Sequence, residues 1–193
     1  METSPRSALG TAAQSFCAAF AQHADIDQIL RFFSTTHQIT VVEHGEAALA
    51  PFLGRPFVGL PAVKAYFESI SSLLSYENVK FSEFVVDVES SKVACKGQGK
   101  FTWLSTGESW DENFAYMIDF DSENKVTDYQ VWADSGSAYL ARVGKLDEVR
   151  KVRHSTGKGQ TEFCLMSPGW EVGSSKSAAA AGSMIVTGSD KVE

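Results

Sequence analysis

Two periods divide the chain. Up to about residue 74 apolar residues return mainly every three or four positions, the spacing of a helix face, and from residue 79 onward they alternate with polar ones, as on a strand. Ser4 can cap a helix whose first position is Pro5, and Leu9, Ala12, Ala13, Phe16, Cys17 and Phe20 form its apolar face. Asp25-Ile26-Asp27-Gln28 has the form of a capping box, and Ile26, Ile29, Leu30 and Phe33 give a second, shorter helix. The β-branched run 39–44 predicts a strand that stops at Gly45. Residues 45–59, with Pro51, Gly54, Pro56 and Gly59, have no single period and read as a loop of the length used for lids and binding segments. Leu60-Pro61 opens a third helix, with Val63, Tyr66, Phe67, Ile70, Leu73 and Leu74 on a wide apolar face.

Four strands are then predicted over 79–88, 93–104, about 110–120 and 125–134, separated by polar turns, which makes an antiparallel meander. On the second, Cys95, Gly97, Gly99, Phe101 and Trp103 share a face, and its two glycines mark a bend or a close approach. On the third, Trp110, Glu112, Phe114, Tyr116, Ile118 and Phe120 share one face, with Asp111, Asn113 and Asp119 on the other, so a carboxylate stands on an apolar wall. Beyond residue 134 the pattern weakens to a short helical turn at 135–144, a charged stretch at 146–152 and a segment at 161–170 compatible with an edge strand. Residues 173–193, rich in Ser, Ala and Gly, carry too few large apolar groups to offset their ordering entropy and read as a disordered tail. The order of elements predicts an α+β fold, a curved antiparallel sheet covered by three N-terminal helices.

At 193 residues, with 44% hydrophobic and 21% charged residues, the chain suits one domain plus an appendage. No apolar run has the length of a bilayer span, and the start lacks the marks of a secretory signal, so no membrane partner and a cytoplasmic address are expected. A net charge of −7 argues against nucleic acid. Cys17, Cys95 and Cys164 are widely spaced, without metal-ligand spacing, and are expected to be reduced; no metal is expected.

The segments Phe16-Cys17-Ala18-Ala19-Phe20, Val41-Val42-Glu43-His44-Gly45, Gly54-Arg55-Pro56-Phe57-Val58-Gly59, Val63-Lys64-Ala65-Tyr66-Phe67 and the run 125–134 together resemble the SnoaL-like group of the nuclear transport factor 2-like superfamily. The resemblance covers about residues 9–144, so 1–144 is taken as the domain, 145–172 as an extension able to dock and 173–193 as the tail. It implies a cone-shaped fold around a pocket, a homodimer through the outer sheet face, and a functional range from ketosteroid isomerase, polyketide cyclases, scytalone dehydratase and limonene epoxide hydrolase to non-enzymatic binding modules. Fold alone does not choose among them.

In ketosteroid isomerase a Val-Glu-Asp run ends the first strand and its Asp moves the proton; the matching run is Val42-Glu43-His44, which makes His44 the expected base, a residue suited to taking and returning a proton near neutrality. That enzyme's oxyanion-hole tyrosine falls near Cys17, and the Trp and Asp of limonene epoxide hydrolase's final strand fall at Tyr129 and Val131, departures that count against both chemistries. Asp134 is read as the cap of the turn that follows it. Glu112, desolvated among aromatics, is the expected acid, with Phe16, Phe57, Trp103, Tyr116 and Tyr129 lining a pocket for a flat hydrophobic molecule. Two alternatives stay open: Glu112 pairs with Lys96, Lys100 or Arg55 at a surface, or strand parity turns Gln130 and Trp132 inward in place of Tyr129. The expected activity is a cofactor-independent isomerase, cyclase or dehydratase acting on a small polyketide- or terpenoid-like intermediate. A ligand-binding or protein-interaction module is the alternative.

Overall fold

The computed structural model describes residues 4–156. Its elements are α1 (Pro5–Ala21), α2 (Ile26–Leu30), β1 (Thr40–His44), β2 (Pro56–Val58), α3 (Leu60–Leu73), β3 (Leu74–Asp87), β4 (Lys92–Trp103), β5 (Ser109–Phe120), β6 (Val126–Trp132), α4 (Ser135–Arg142) and α5 (Leu146–Thr156). The strands form one curved, unclosed sheet in the order β2-β1-β6-β5-β4-β3. The β3–β6 meander is antiparallel, as the alternation requires, and β1 joins it in parallel beside β6, with Val41 opposite Tyr129 and Glu43 opposite Val131. No helix among the described residues is long and apolar enough to cross a membrane.

The first helix starts where its cap predicts, the Ser4 hydroxyl accepting from the Ser7 amide at 3.3 Å. The second differs in detail. Asp25 stands at the N-cap, but its side chain makes no capping hydrogen bond; its backbone carbonyl accepts from Gln28 and Ile29 instead, and Asp27 reaches out to Lys64. The loop expected over 45–59 contains a short strand, because Phe57 pairs with Val41 and turns its ring inward. Leu74, expected on the third helix, is already in β3, opposite Trp103. The charged stretch after Lys145 forms α5, and residues 161–170 and the tail lie outside the described residues.

Curvature has a local cause. β3 carries register shifts between Glu77 and Lys80 and between Ser82 and Val85, with Asn78 and Glu83 at φ of 58° and 56°, the signature of bulges that bend a strand. On β4, Gly97 leaves room for an aromatic ring: a Cβ there would lie 2.0 Å from Cε2 of Phe114. The Phe114 ring therefore lies against β4 at Gly97, and apolar side chains from the sheet and from α1 and α3 close into a single core, including Phe16, Val63, Tyr66, Ile118 and Tyr129.

Candidate functional site

The parity read from β5 holds. Trp110, Glu112, Phe114, Tyr116, Ile118 and Phe120 are buried, and Asp111 and Asn113 are exposed. Glu112 is 6% exposed and pairs with none of Lys96, Lys100 and Arg55: the two lysines bond Glu83 and Glu77, and the guanidinium of Arg55 lies over the Phe57 ring. Its two oxygens accept from the Trp110 indole N–H at 2.7 Å and from the Asp134 amide at 2.5 Å. Trp110 and Glu112 are two residues apart on one strand face, so the sequence places donor and acceptor side by side.

A second buried carboxyl shares the cavity that Glu112 lines. Glu43, 8% exposed, points inward from β1 and accepts from the Tyr66 hydroxyl of α3 at 2.7 Å. Tyr116, Tyr129 and Val131 from the sheet, Phe52 and Leu53 from the loop after β1 and Ala138 from α4 also line it. The cavity volume is about 50 Å³, and no lysine, arginine or histidine lines it. Burial without a cation disfavours ionised carboxyls. Burial pushes Glu43 up to about 7 against the Tyr66 hydrogen bond, and the charge of Glu112 adds to the rise. Burial also raises Glu112, opposed by the Asp134 amide and the Trp110 indole. Burial likewise holds the hydroxyls of Tyr66, Tyr116 and Tyr129 well above the ordinary range, so all three stay neutral donors.

Asp134 does cap the following helix. Its carboxylate accepts from the Ser137 amide at 3.0 Å and the Ser137 hydroxyl at 2.6 Å. Burial raises this carboxyl, but those bonds and the Gly136 amide together hold it below the ordinary value, and it stays ionised.

Of the expected site residues, the cavity brings together Glu112, Tyr116 and Tyr129. Phe16, Phe57 and Trp103 stand one layer behind. Phe16 meets Tyr129 edge-on at 5.1 Å between ring centres, Phe57 tilts against Tyr66 at 5.3 Å, and Trp103 lies 6.4 Å from Phe52. His44 is not brought to Glu112. It belongs to the outward face of β1, where its ring stacks on Trp132 at 4.3 Å and Nε2 donates to Gln130 Oε1 at 3.0 Å. Gln130 in turn donates to Asp128 at 2.6 Å, so His44 ends an outer-face polar chain, and Glu43 takes the cavity position expected of it. Among the described residues no group of three or more His, Cys, Asp or Glu side chains could hold a metal ion.

No protein-family model and no curated protein matches the chain. Solved structures do. A nuclear transport factor 2-like protein of unknown function from Burkholderia pseudomallei is similar at 14% identity and a TM-score of 0.60, over 70% of this chain and 97% of that one. TerC, co-crystallised with polyporic acid, is similar at 18% identity and a TM-score of 0.59, over 70% and 98%. SalBIII, an epoxide hydrolase/cyclase-like enzyme of pyran ring formation in the polyether salinomycin, is similar at 14% identity and a TM-score of 0.52, over 65% and 89%. With the curved six-stranded sheet and its covering helices, these likenesses show that the chain has the nuclear transport factor 2-like fold.

Proposed function

We propose that the protein is a cofactor-independent isomerase, cyclase or dehydratase that moves protons on a small hydrophobic polyketide- or terpenoid-like substrate, with Glu43 and Glu112 as its acid and base. One observation carries this reading: two buried carboxyls line a single apolar cavity that no cation lines. Like charges in such a place do not both ionise near neutrality, so the pair holds one proton and offers a donor and an acceptor together. The hydrogen bonds divide the roles. Glu112 accepts on both oxygens, which favours its carboxylate, whereas Glu43 accepts on one oxygen and keeps the other for the proton.

In an isomerisation, the Glu112 carboxylate takes a proton from the carbon beside a carbonyl as Glu43 gives its proton to the carbonyl oxygen, forming an enol. Return of a proton to a different carbon gives the isomer and restores the pair. In a dehydration the Glu43 proton leaves instead with the departing hydroxyl as water. The neutral Tyr66 keeps its bond to Glu43 throughout and steadies the carboxylate that forms. The fold of a cyclase-like enzyme and of a protein crystallised with polyporic acid supports this class of reaction and ligand. The homodimer would form on the outer sheet face, where Met117 and Trp132 are exposed, and sedimentation velocity tests it.

The test is a thermal-shift screen of hydrophobic carbonyl, epoxide and hydroxylated aromatic compounds, with product analysis on each hit. Glu112→Gln and Glu43→Gln should bind the hit and lose turnover by roughly 10²–10⁴-fold, the range of a missing general acid or base. Turnover kept by both variants would overturn the reading. A hit that binds without ever reacting would favour a binding module.

A further inference from the structure

The inner cavity, at about 50 Å³, holds a few waters and not the substrate proposed for it. A second, open cavity of about 260 Å³ lies between α1, α2, α3 and β3. Phe20, Ile70 and Leu74 line both cavities, so they are the partition. The joined space reaches the lower end of the roughly 300–1,000 Å³ typical of small-molecule sites.

Phe20 is the least buried member of that partition. It sits half-buried in the last turn of α1, whereas Ile70 and Leu74 are buried at the junction of α3 and β3. Its ring stacks on Tyr76 at 4.7 Å and 7° and meets Tyr116 edge-on at 6.4 Å, so it touches the aromatic walls of both chambers. The far side of the inner cavity is tied down: α4 is held by Arg142 donating to the Leu49 carbonyl at 2.7 Å and by Thr106 donating to the Ala141 carbonyl at 2.7 Å. The outer chamber is chemically different from the inner one. Ile26, Ile29 and Phe67 give it an apolar lining, His23 stacks on Tyr76 at 4.4 Å, and no carboxylate lines it.

We propose that the substrate is an elongated, uncharged molecule spanning both chambers, its oxygenated end between Glu43 and Glu112 and a flat apolar end on Tyr76. Phe20 is the residue that swings aside and sets the accepted length. The incoming ring takes the stacking place that Phe20 leaves, so the contact with Tyr76 is exchanged and not lost. This inference rests on the acid/base reading for which end enters first, but its test reads binding alone.

Phenol and 4-phenylphenol, one ring and two, are titrated calorimetrically into the full chain. The second ring should tighten binding by about tenfold or more, the effect of burying one further aromatic ring. Ser71→Phe, placed at an exposed position of the outer chamber, should cancel that gain for 4-phenylphenol and leave phenol within about twofold. Phe20→Ala should raise the affinity for 4-phenylphenol several-fold and by more than it raises that for phenol; Phe20→Leu, which keeps apolar bulk, repeats the test if the alanine variant does not fold. Equal binding of the two compounds to wild type, or a Ser71→Phe effect that is absent or the same for both, would overturn the proposal. Failure of the acid/base reading shows elsewhere, as turnover retained in Glu43→Gln and Glu112→Gln.

Discussion

Replacing Glu43 by Gln keeps an oxygen to accept from Tyr66 and removes the titration, so its effect on stability should depend on pH in a defined way. The folded-state value of about 7 lies above the ordinary 4.5. A carboxyl raised on folding binds more protons in the native state than in the unfolded one, so its contribution is fully present below about 4.5 and is lost as pH rises through 7. At about 1.4 kcal/mol per pKa unit, the loss is on the order of 3 kcal/mol. Glu43→Gln should therefore match wild type at pH 4 and be more stable at pH 8 by up to about 3 kcal/mol, or roughly 6–12 °C in Tm for a domain of this size. Urea unfolding of both proteins from pH 4 to 8 measures it, with the acidic groups other than Glu112 cancelling in the difference. A difference constant across that range would refute the assignment of Glu43 as a carboxyl held protonated by burial.

Trp110→Phe removes one donor to the Glu112 carboxylate and should raise that group further, moving the acid limb of ligand binding or turnover to higher pH; an unmoved limb is the contrary result. His44→Ala should leave turnover of any identified substrate within about twofold, because the ring lies on the outer face, and a hundredfold loss would contradict the placement. Gly97→Ala drives a methyl into the Phe114 ring and should cost about 1–3 kcal/mol in urea unfolding, with an unchanged midpoint as the contrary result.

Much of this architecture is visible in the pattern of residues, because long strands with one buried face repeat their signal many times. The twelve residues of β5 fix their own parity, and with it the inward Glu112. The five residues of β1 do not. Ile39 and Val41 argue for one face and Val42 for the other, and the resemblance to a Val-Glu-Asp run points to His44, while the parallel pairing with β6 turns Glu43 inward. The second carboxyl of the site was thus hidden by a one-residue question of parity that only the neighbouring strand answers. The α3–β3 junction escapes for a different reason: Leu73, Leu74, Ser75 and Tyr76 contain no Gly or Pro, and the chain passes from helix to strand with no turn between them. Bulges at Asn78 and Glu83 break the period of β3 without a glycine to mark them. The cavity and its partition depend on side chains from four or more elements, and no local pattern encodes such a meeting.

Acid/base chemistry at this site requires Glu43 and Glu112 to hold a single proton between them at neutral pH. Carbon-13 NMR of the side-chain carboxyl carbons, assigned with Glu43→Gln and Glu112→Gln and followed from pH 3 to 9, tests it directly. The Glu43 resonance should titrate near 7 and move down when Glu112 is made neutral. Two independent titrations near 4.5, each unchanged by loss of the other carboxyl, would contradict it.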